Sequence, residues 1–339
     1  MDNYKLTHGV SCAGCAAKVS QKTLEKILHG RKFYRSASTV IGIENFDDAG
    51  VYRLKDGSLL VQSTDFFPPI VDEPYDFGRI ATANALSDIY VMGAEPITAL
   101  NLCCFPSDKY PEQVYSEILD GSAEVLETAE CTLLGGHTIK DTELKFGIAA
   151  TGIADDDSLI TNSAARENDV LFLTKPLGTG IITTAIKKNI CPDSSREQAI
   201  KSMTALNKSA RDLMTEHGIK AATDITGFGL IGHALEMCRA SGINMRIYME
   251  TLPVFDGVFE LLELGAFPGG SKKNKEEHFS YVDMNPDVSA DIIFDAQTSG
   301  GVLMAVPPAK AETVSNSGIA IRIGEVTARQ PGEKMIRIA

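Results

Sequence analysis

Residues Asp76–Asp88 read DFGRIATANALSD, and this stretch decides how the rest of the chain is interpreted. Its apolar positions recur every three or four residues, which predicts an amphipathic helix over about 76–92. Asn84 and Asp88 lie one turn apart on the apolar face, so their side chains are neighbours. A carboxylate on a buried face is costly unless a positive group pairs with it. The pattern therefore favours Asp88 as a ligand of a cation or nucleotide, and a solvated aspartate near the end of a surface helix is the alternative.

Other acidic residues occupy the ends of predicted strands. Asp65 ends an apolar strand, Asp224 ends another just before a glycine-rich turn, and Asp47 and Asp48 precede a third strand. The sequence contains no clustered His/Cys metal motif, so carboxylates in these places suit a hard, oxygen-preferring cation such as Mg²⁺. Magnesium held by several carboxylates is typical of phosphate chemistry. An acidic protein can still bind ATP, because Mg²⁺ and local donors supply the positive field.

Length and composition limit the classes of protein that the chain can represent. It has 339 residues, enough for two domains, and 44% hydrophobic with 23% charged residues is typical of a globular protein. A formal net charge of −13 disfavours nucleic acid or an anionic membrane as the main partner. No apolar run reaches the roughly 18 residues of a membrane span, and the N-terminus lacks the apolar core of a signal peptide. We therefore expect a cytoplasmic protein.

The seven cysteines fall into two groups. Cys12 and Cys15 lie in a segment of small residues close to Lys18, which we expect to be mobile and loop-like. They could form half of a soft-metal site, a redox disulfide, or a nucleophilic thiol in which Lys18 favours the thiolate of Cys15 and holds an anionic substrate. Inert thiols in a flexible tail remain the fourth interpretation. The other five are expected to be reduced thiols in or near the core: Cys103, Cys104, Cys131, Cys191 and Cys238.

Strands and helices alternate along both halves of the chain. A helix is predicted from Ser20 through Leu28, and a possible domain boundary lies around residues 155–168. In the second half, one long helix is predicted near 196–216 and a polar, flexible surface loop over Gly269–Lys275. Strands are predicted near 51–55, 59–65, 97–104, 132–137, 145–153, 169–174, 243–249, 301–306 and 319–326, and further helices near 111–129, 228–239 and 308–316.

Two glycine-rich stretches are candidate phosphate contacts. Gly135 and Gly136 lie at the end of a predicted strand, beside His137 and Thr138, whose side chains can donate hydrogen bonds, although a tight turn explains the glycines equally well. Gly178–Gly180 begins a predicted helix and could hold an anion there. Neither stretch is a Walker A loop, and no dinucleotide-binding glycine motif follows a first strand.

Taken together, these motifs make the chain resemble the selenophosphate synthetase (selenide, water dikinase) family, within the aminoimidazole-ribotide synthetase-like superfamily. The resemblance extends over nearly the whole chain. It is carried by GCAAK at 14–18, DDA at 47–49, STDFF at 63–67, DFGRIA at 76–81, NALSD at 84–88, GGHT at 135–138, LTKPLG at 173–178, TDITGFG at 223–229 and DAQTSGG at 295–301.

The resemblance implies an α/β (α+β) fold with two domains, each a mixed sheet packed with helices, and a flexible N-terminal segment. The implied division is a segment over residues 1–40 with Cys15, Lys18 and a leading helix, an ATP-binding and dimerisation domain over 41–157, and a C-terminal α/β domain over 158–339. The implied reaction converts ATP, selenide and water into selenophosphate, AMP and orthophosphate. Selenophosphate would supply selenium for selenocysteine or selenouridine synthesis, and the enzyme would be a homodimer.

Residue by residue, the resemblance places Cys15 at the catalytic cysteine and Lys18 at the essential lysine of the family. It places Asp48, Asp88 and Asp224 at the magnesium ligands. The ATP-contact positions fall, besides Lys18, on Asn45, Phe46, Asp47, Asp65, Asp88, Gly136, His137 and Thr138. The chain departs from many family members at Ala17, where they carry a second cysteine, while Cys12 lies three residues before Cys15.

Two other functions remain open from the sequence. One is another ATP-dependent kinase or ligase of the same superfamily, acting on a ribotide or thiamine phosphate, which would not need Cys15 and Lys18. The other is a non-enzymatic metal or selenium carrier that uses Cys12 and Cys15. Neither alternative explains the acidic strand ends and the Cys-x-x-Lys spacing together.

Overall fold

The structure is a computed structural model, and it describes residues 4–10, 14, 18–19, 21–43, 47–284 and 290–339. Cys12, Cys15, Asn45 and Phe46 lie outside these residues. The described chain forms two mixed sheets with helices packed on them, so the predicted mixed α/β fold is confirmed. Within the described ranges, no helix combines the length and the apolar character that a membrane span requires.

The first sheet has the spatial order β1-β2-β3-β6-β4-β5, with β4 and β5 parallel and all other neighbours antiparallel. Its strands are β1 (Thr39–Ile41), β2 (Gly50–Arg53), β3 (Leu59–Phe67), β4 (Glu95–Phe105), β5 (Thr132–Lys140) and β6 (Lys145–Ala154). The helices of this half are α1 (Gln21–Leu28), α2 (Pro74–Val91) and α3 (Glu112–Thr128). The α1 helix begins close to the position predicted from the sequence.

Helix α2 is the central element of the molecule. It packs on β3, β6 and α3 of its own half and on β8 (Ala221–Asp224), α5 (Asp193–Thr204) and α6 (Lys208–Glu216) of the other. The helix is therefore buried on nearly every side, where the sequence indicated one apolar face, because the second half of the chain covers its outer surface. A Cβ added at Gly78 would lie 2.0 Å from the carbonyl oxygen of Ile118, so α2 and α3 require glycine at their crossing.

The second sheet has the order β10-β13-β9-β12-β7-β11-β8, parallel only between β10 and β13 and between β13 and β9. Its strands, besides β8, are β7 (Val170–Leu173), β9 (Ile243–Ile247), β10 (Val282–Asp283), β11 (Val302–Val306), β12 (Ile321–Ala328) and β13 (Ile336–Ile338). Its helices, besides α5 and α6, are α4 (Thr179–Lys187), α7 (Gly229–Ser241), α8 (Val258–Glu263), α9 (Gly269–His278) and α10 (Pro308–Asn316).

Two predicted elements differ from the structure. The long helix predicted over 196–216 is divided into α5 and α6, because Asn207 between them donates its amide to Ser87 Oγ at 2.8 Å and to the Gly300 carbonyl at 3.0 Å. The loop predicted over 269–275 is instead part of α9. Ser271 and Asn274 are buried in that helix and bond to Asp295 and to the Gly227 carbonyl, so tertiary contacts override a low helix propensity.

The helix start at Gly178–Gly180 is not open to an external anion. Gln297 Oε1 accepts hydrogen bonds from the backbone amides of Gly178 and Thr179, at 3.1 Å each. Asp295 Oδ2 accepts those of Gly180 and Ile181 at 3.1 and 3.2 Å. The chain's own side chains therefore satisfy the first amides of α4, and the anion site proposed from the glycines is occupied internally.

Part of the predicted flexible segment docks against the folded body. Leu6 is fully buried, and the backbone amide and hydroxyl of Thr7 both donate to Asp72 Oδ1, at 3.0 and 2.7 Å. Lys187 donates to the Val10 carbonyl at 2.8 Å, which attaches the same stretch to the second half of the chain. Residues 4–10 are thus anchored to both halves of the chain. The five cysteines of the described chain are free, as predicted.

Candidate active site

Three aspartates from distant parts of the chain converge beside α2. Asp48 lies in the turn before β2, Asp88 near the end of α2, and Asp224 at the end of β8. Each offers one carboxylate oxygen, and these oxygens lie within 4.8 Å of one another. The structure thus brings together the three residues that the resemblance assigned to magnesium, at a spacing that a shared divalent cation can bridge.

Hydroxyl groups hold one oxygen of each aspartate and leave others without a partner. Thr223 donates to Asp48 Oδ1 at 2.9 Å, Ser63 donates to Asp88 Oδ2, and Ser87 donates to Asp224. The remaining oxygens Asp48 Oδ2 and Asp224 Oδ2 are buried and have no hydrogen-bond partner within the described chain. A buried carboxylate oxygen without a partner is unfavourable unless a cation binds it, so these residues fit a divalent ion.

Burial raises the pKa values of Asp48, Asp88 and Asp224 above the ordinary value. The charge of Asp224 adds to the rise at Asp48 and Asp88, and the nearby Lys18 ammonium opposes it at Asp88 and Asp224. Three ionised carboxylates at this spacing repel one another, and a divalent cation removes that repulsion. The electrostatics and the unpartnered oxygens therefore point to the same ligand.

Lys18 reaches the edge of this cluster. Its ammonium lies 3.1 Å from Asp65 Oδ2, and the Lys18 side chain remains 36% exposed while that of Asp65 is 12% exposed. Asn84 donates its amide to the same Asp65 oxygen at 2.7 Å. Asn84, predicted to accompany Asp88 on one helical face, therefore serves Asp65 instead. A partly exposed lysine beside buried carboxylates can meet an anionic group that enters from solvent.

Asp47 precedes Asp48 in the chain, and its carboxylate is held by backbone amides. Its Oδ1 accepts hydrogen bonds from the backbone amides of Asn162 at 3.2 Å and Asp48 at 3.3 Å. Burial raises the pKa of Asp47 to about 6, those two amides oppose the rise, and the charge of Glu236 adds to it. Glu236 Oε2 lies 3.0 Å from His233 Nδ1, and both side chains are nearly buried. Asp47 is thus held close to Asp48 by backbone donors.

The Gly135–Thr138 stretch lies apart from the aspartates. Gly136 is in register with Asn101 of β4, which is in register with Ile148 of β6 and then Asp65 of β3. Three strand spacings separate Gly136 from Asp65, roughly 14 Å across the sheet. Gly136, His137 and Thr138 are exposed on the edge strand β5, and Thr138 Oγ1 bonds to the Tyr115 hydroxyl at 2.8 Å. Within one chain they do not join the aspartate cluster.

Sequence reasoning missed several residues that shape the site. Ser87 and Thr223 are the immediate neighbours of Asp88 and Asp224, so a Ser or Thr beside a strand-end or helix-end aspartate was an available signal. His233 and Glu236 form an i,i+3 pair on α7, directly after the Thr-Asp strand end. Ser63 lies two residues before Asp65, yet its bond to Asp88 depends on a contact between β3 and α2 that no local pattern reveals.

Solved structures of other proteins share this fold. Thiamine monophosphate kinase from Aquifex aeolicus superposes with a TM-score of 0.65, 16% identity and coverage of 94% of each chain. A structure described as a HypE–HypF complex superposes with a TM-score of 0.69, 18% identity and coverage of 94% of this chain and 96% of that one. At this level of identity the similarity concerns the fold alone.

Sequence comparison is more specific. The family model "AIR synthase related protein, N-terminal domain" matches residues 46–154, and the C-terminal counterpart matches 166–336. A selenide, water dikinase from Nitratidesulfovibrio vulgaris (strain Miyazaki F) is 44% identical, with 98% of both chains covered. Those from Pelobacter propionicus and Myxococcus xanthus are 42% and 43% identical, with coverage of 98% of both chains and of 97% and 96%, respectively. The chain therefore belongs to the selenide, water dikinase family of AIR synthase related proteins.

Proposed function

We propose that this chain is a selenide, water dikinase, which transfers phosphate from ATP to selenide and hydrolyses the remaining anhydride. The observation that carries the proposal is the pairing of Lys18 with Asp65 at 3.1 Å beside the aspartate cluster. This joins a cation from the Cys-x-x-Lys segment to a site suited to a metal–nucleotide complex. The relatives named selenide, water dikinase support the same reaction over almost the whole chain.

Asp48, Asp88 and Asp224 would hold Mg²⁺, each through one carboxylate oxygen. At Asp48 and Asp224 the structure leaves Oδ2 without a hydrogen-bond partner in the described chain. When bound, Mg²⁺ neutralises phosphate charge and orients the polyphosphate for displacement. The chain itself supplies the hydroxyl donors of Thr223, Ser63 and Ser87, which fix each carboxylate in one orientation before a ligand arrives. This preorganisation favours repeated binding of one geometry.

In the proposed first step, selenide attacks the γ-phosphorus of ATP, the new P–Se bond forms, and the bond from that phosphorus to the β–γ bridging oxygen breaks. Lys18 offsets the negative charge that accumulates where selenide and phosphate meet. In the second step, water attacks the β-phosphorus of ADP, and the bond to the α–β bridging oxygen breaks. The products are selenophosphate, orthophosphate and AMP, and every phosphorus atom of ATP is accounted for.

Cys15 is proposed to hold or orient selenide. It lies outside the described residues, but its neighbour Gly14 donates its backbone amide to the Pro68 carbonyl at 3.0 Å. Lys18, three residues after Cys15, is paired with Asp65. The chain is therefore attached to the body of the protein on both sides of Cys15, which supports a role for its thiol at this site. Since the reaction consumes ATP, we place it in the cytoplasm.

We further propose a homodimer formed across the edge strand β5. All nine residues of β5 are exposed, and Leu134 is 65% and Ile139 48% exposed. An uncovered edge strand with apolar side chains is a template for pairing with another strand. Within one chain the Gly136–Thr138 stretch lies three strands away from Asp65. A second copy paired at β5 could bring its own Gly136–Thr138 stretch to the first copy's nucleotide. Light scattering tests the proposed dimer. We expect wild type to be a dimer and Leu134→Lys to be a monomer. A monomeric wild type would contradict the proposal.

The alternative function, a kinase or ligase acting on thiamine phosphate or a ribotide, differs in its products. We would incubate the protein anaerobically with ATP and Mg²⁺, with selenide, thiamine monophosphate or formylglycinamidine ribotide as the acceptor, and separate the nucleotides by ion-exchange chromatography. We expect AMP and orthophosphate to form only in the incubation that contains selenide as the acceptor. ADP formed with one of the other acceptors, and no selenide-dependent AMP, would favour the alternative.

A further inference from the structure

A buried lysine that the proposed mechanism does not use lies just after β7. Lys175 is 9% exposed, and its amine donates to the carbonyls of Ala205 at 2.7 Å and Ser299 at 3.0 Å. A buried amine is unfavourable unless it is well paired, so both bonds are required in this position. Burial lowers the pKa of Lys175 to about 7, and the Asp224 carboxylate opposes the change. The lysine is thus built into the region between β7 and the aspartate site.

Ser299, one of its acceptors, has an unusual backbone. Its φ is +47°, in the left-handed region that residues other than glycine rarely occupy, and the residue is 1% exposed. Its hydroxyl has no hydrogen-bond partner among the described residues, whereas its backbone carbonyl and its backbone amide are both hydrogen-bonded. The carbonyl accepts from Lys175, and the amide donates to Asn84 Oδ1 at 2.8 Å. Strain of this kind persists only where the surroundings impose it.

The two glycines after Ser299 explain how the strain is imposed. A Cβ at Gly300 would lie 2.1 Å from the Ile225 carbonyl oxygen, and one at Gly301 would lie 2.4 Å from the Lys175 amide nitrogen. The loop is therefore wedged between the ends of β7 and β8. Thr298 lies on its other side, with Oγ1 2.7 Å from where a Cβ of Gly14 would stand. The same loop touches the residue next to Cys15.

From Ser299 the contacts continue to Lys18. Asn84 accepts from Ser299 through Oδ1 and donates through Nδ2 to Asp65 Oδ2 at 2.7 Å. Asp65 Oδ2 in turn lies 3.1 Å from the Lys18 ammonium. Because the Asn84 oxygen is fixed by a backbone donor, its amide nitrogen must face Asp65. The series joins the second half of the chain to the lysine of the proposed active site.

We propose that Lys175 and Ser299 are positioning residues that act through Asn84 and Asp65 to set Lys18 for phosphoryl transfer. This inference rests on the proposed function. Lys175 holds the Ser299 carbonyl, and with it the strained backbone of that residue. The Ser299 amide then orients Asn84, and Asn84 orients the carboxylate that meets Lys18. Loss of Lys175 leaves the Ser299 carbonyl without its donor, and the loop can then relax away from Asn84.

The test is a double-mutant cycle on selenide-dependent turnover, using Lys175→Met, Asn84→Ala and the double variant. We expect each single change to lower kcat roughly 10- to 100-fold, with the KM for ATP changed less than about threefold, since the nucleotide-binding groups are kept. The kcat of the double variant should be no more than about threefold below that of the less active single variant. Multiplicative losses would mean that the two residues act independently and would overturn the proposal.

Two further variants separate positioning from stability and from charge. Lys175→Gln keeps N–H donors for the two carbonyls but not the charge, and we expect it to recover most of the kcat lost in Lys175→Met. A loss as large as that of Lys175→Met would contradict positioning through these bonds. Lys188→Met is the matched control, because Lys188 also donates to a backbone carbonyl, that of Gly265 at 2.8 Å, away from the site. We expect wild-type kcat there.

Hydrogen exchange tests the inference without relying on turnover. The Ser299 amide should exchange at least tenfold faster in Lys175→Met and in Asn84→Ala than in wild type, while core strands such as β11 stay protected. If wild type shows no selenide-dependent turnover but the exchange changes as stated, the proposed function fails and the contact series stands. Unchanged exchange at Ser299 in Lys175→Met would refute the series itself.

Discussion

Asp224→Asn should stabilise the metal-free protein, although it replaces a buried carboxylate of the proposed active site by a neutral amide. The ligand oxygens of Asp48, Asp88 and Asp224 lie within 4.8 Å of one another. At that distance two unit charges repel by about 3.5 kcal/mol with an effective dielectric constant of about 20. Partial protonation relieves some of this repulsion, as the raised pKa values imply. We therefore expect a gain of about 2–4 kcal/mol in unfolding free energy at pH 8.

The assay is urea unfolding at pH 8 in EDTA and in saturating Mg²⁺. Wild type should gain stability from Mg²⁺, and Asp224→Asn should gain little, so the order of the two proteins is expected to reverse or converge. Asp108→Asn is the control, because Asp108 is exposed and forms a surface ion pair with Lys140, and it should change stability by less than about 0.5 kcal/mol. An Asp224→Asn protein that is less stable than wild type in EDTA would refute the repulsion argument.

Three further outcomes are expected. Lys18→Met should lower selenide-dependent kcat by about 100-fold or more, because charge at the transferring phosphate is no longer offset. Lys334→Met should leave kcat unchanged, because Lys334 bonds to the Val282 carbonyl at the sheet edge opposite β8. Gly78→Ala should destabilise the fold by about 3 kcal/mol or more in urea unfolding, since its Cβ would meet the Ile118 carbonyl at 2.0 Å, whereas Gly269→Ala, with open space around it, should be nearly neutral. Burial raises the pKa of Asp47 to about 6, so metal-free wild type should lose up to about 3 kcal/mol of unfolding free energy as pH rises from about 4 to 6. Asp47→Asn should flatten this pH dependence, and an unchanged slope would contradict the raised pKa of Asp47.

Much of the site could be predicted because the residues concerned carry local patterns. Asp65 and Asp224 end apolar strands, and Asp88 lies on the buried side of a helix, so each aspartate was recognisable in its own segment. Their assembly around one point follows from α2 packing between the two halves of the chain, and periodicity does not contain that information. The resemblance to a known family supplied the grouping of Asp48, Asp88 and Asp224 instead.

The features that could not be predicted depend on contacts between distant segments. Lys175 looks like an ordinary polar residue after a strand, and only the fold places its amine against Ala205 and Ser299. Asn207 ends a helix early because its amide is used by Ser87 and Gly300. Gln297 and Asp295 take the helix-start amides that the glycines at 178–180 had suggested for an anion. In each case a buried polar group finds a partner far away in sequence.

The most direct test of the central claim is phosphorus NMR of the purified protein with ATP, Mg²⁺ and selenide under anaerobic conditions, with wild type and Cys15→Ser measured in parallel. The account predicts a phosphorus signal with selenium coupling, accompanied by AMP and orthophosphate, in wild type and its loss in the variant. AMP without that signal would mean that the nucleotide site is assigned correctly but the acceptor is not. No selenide-dependent consumption of ATP by the wild type would contradict the proposed function.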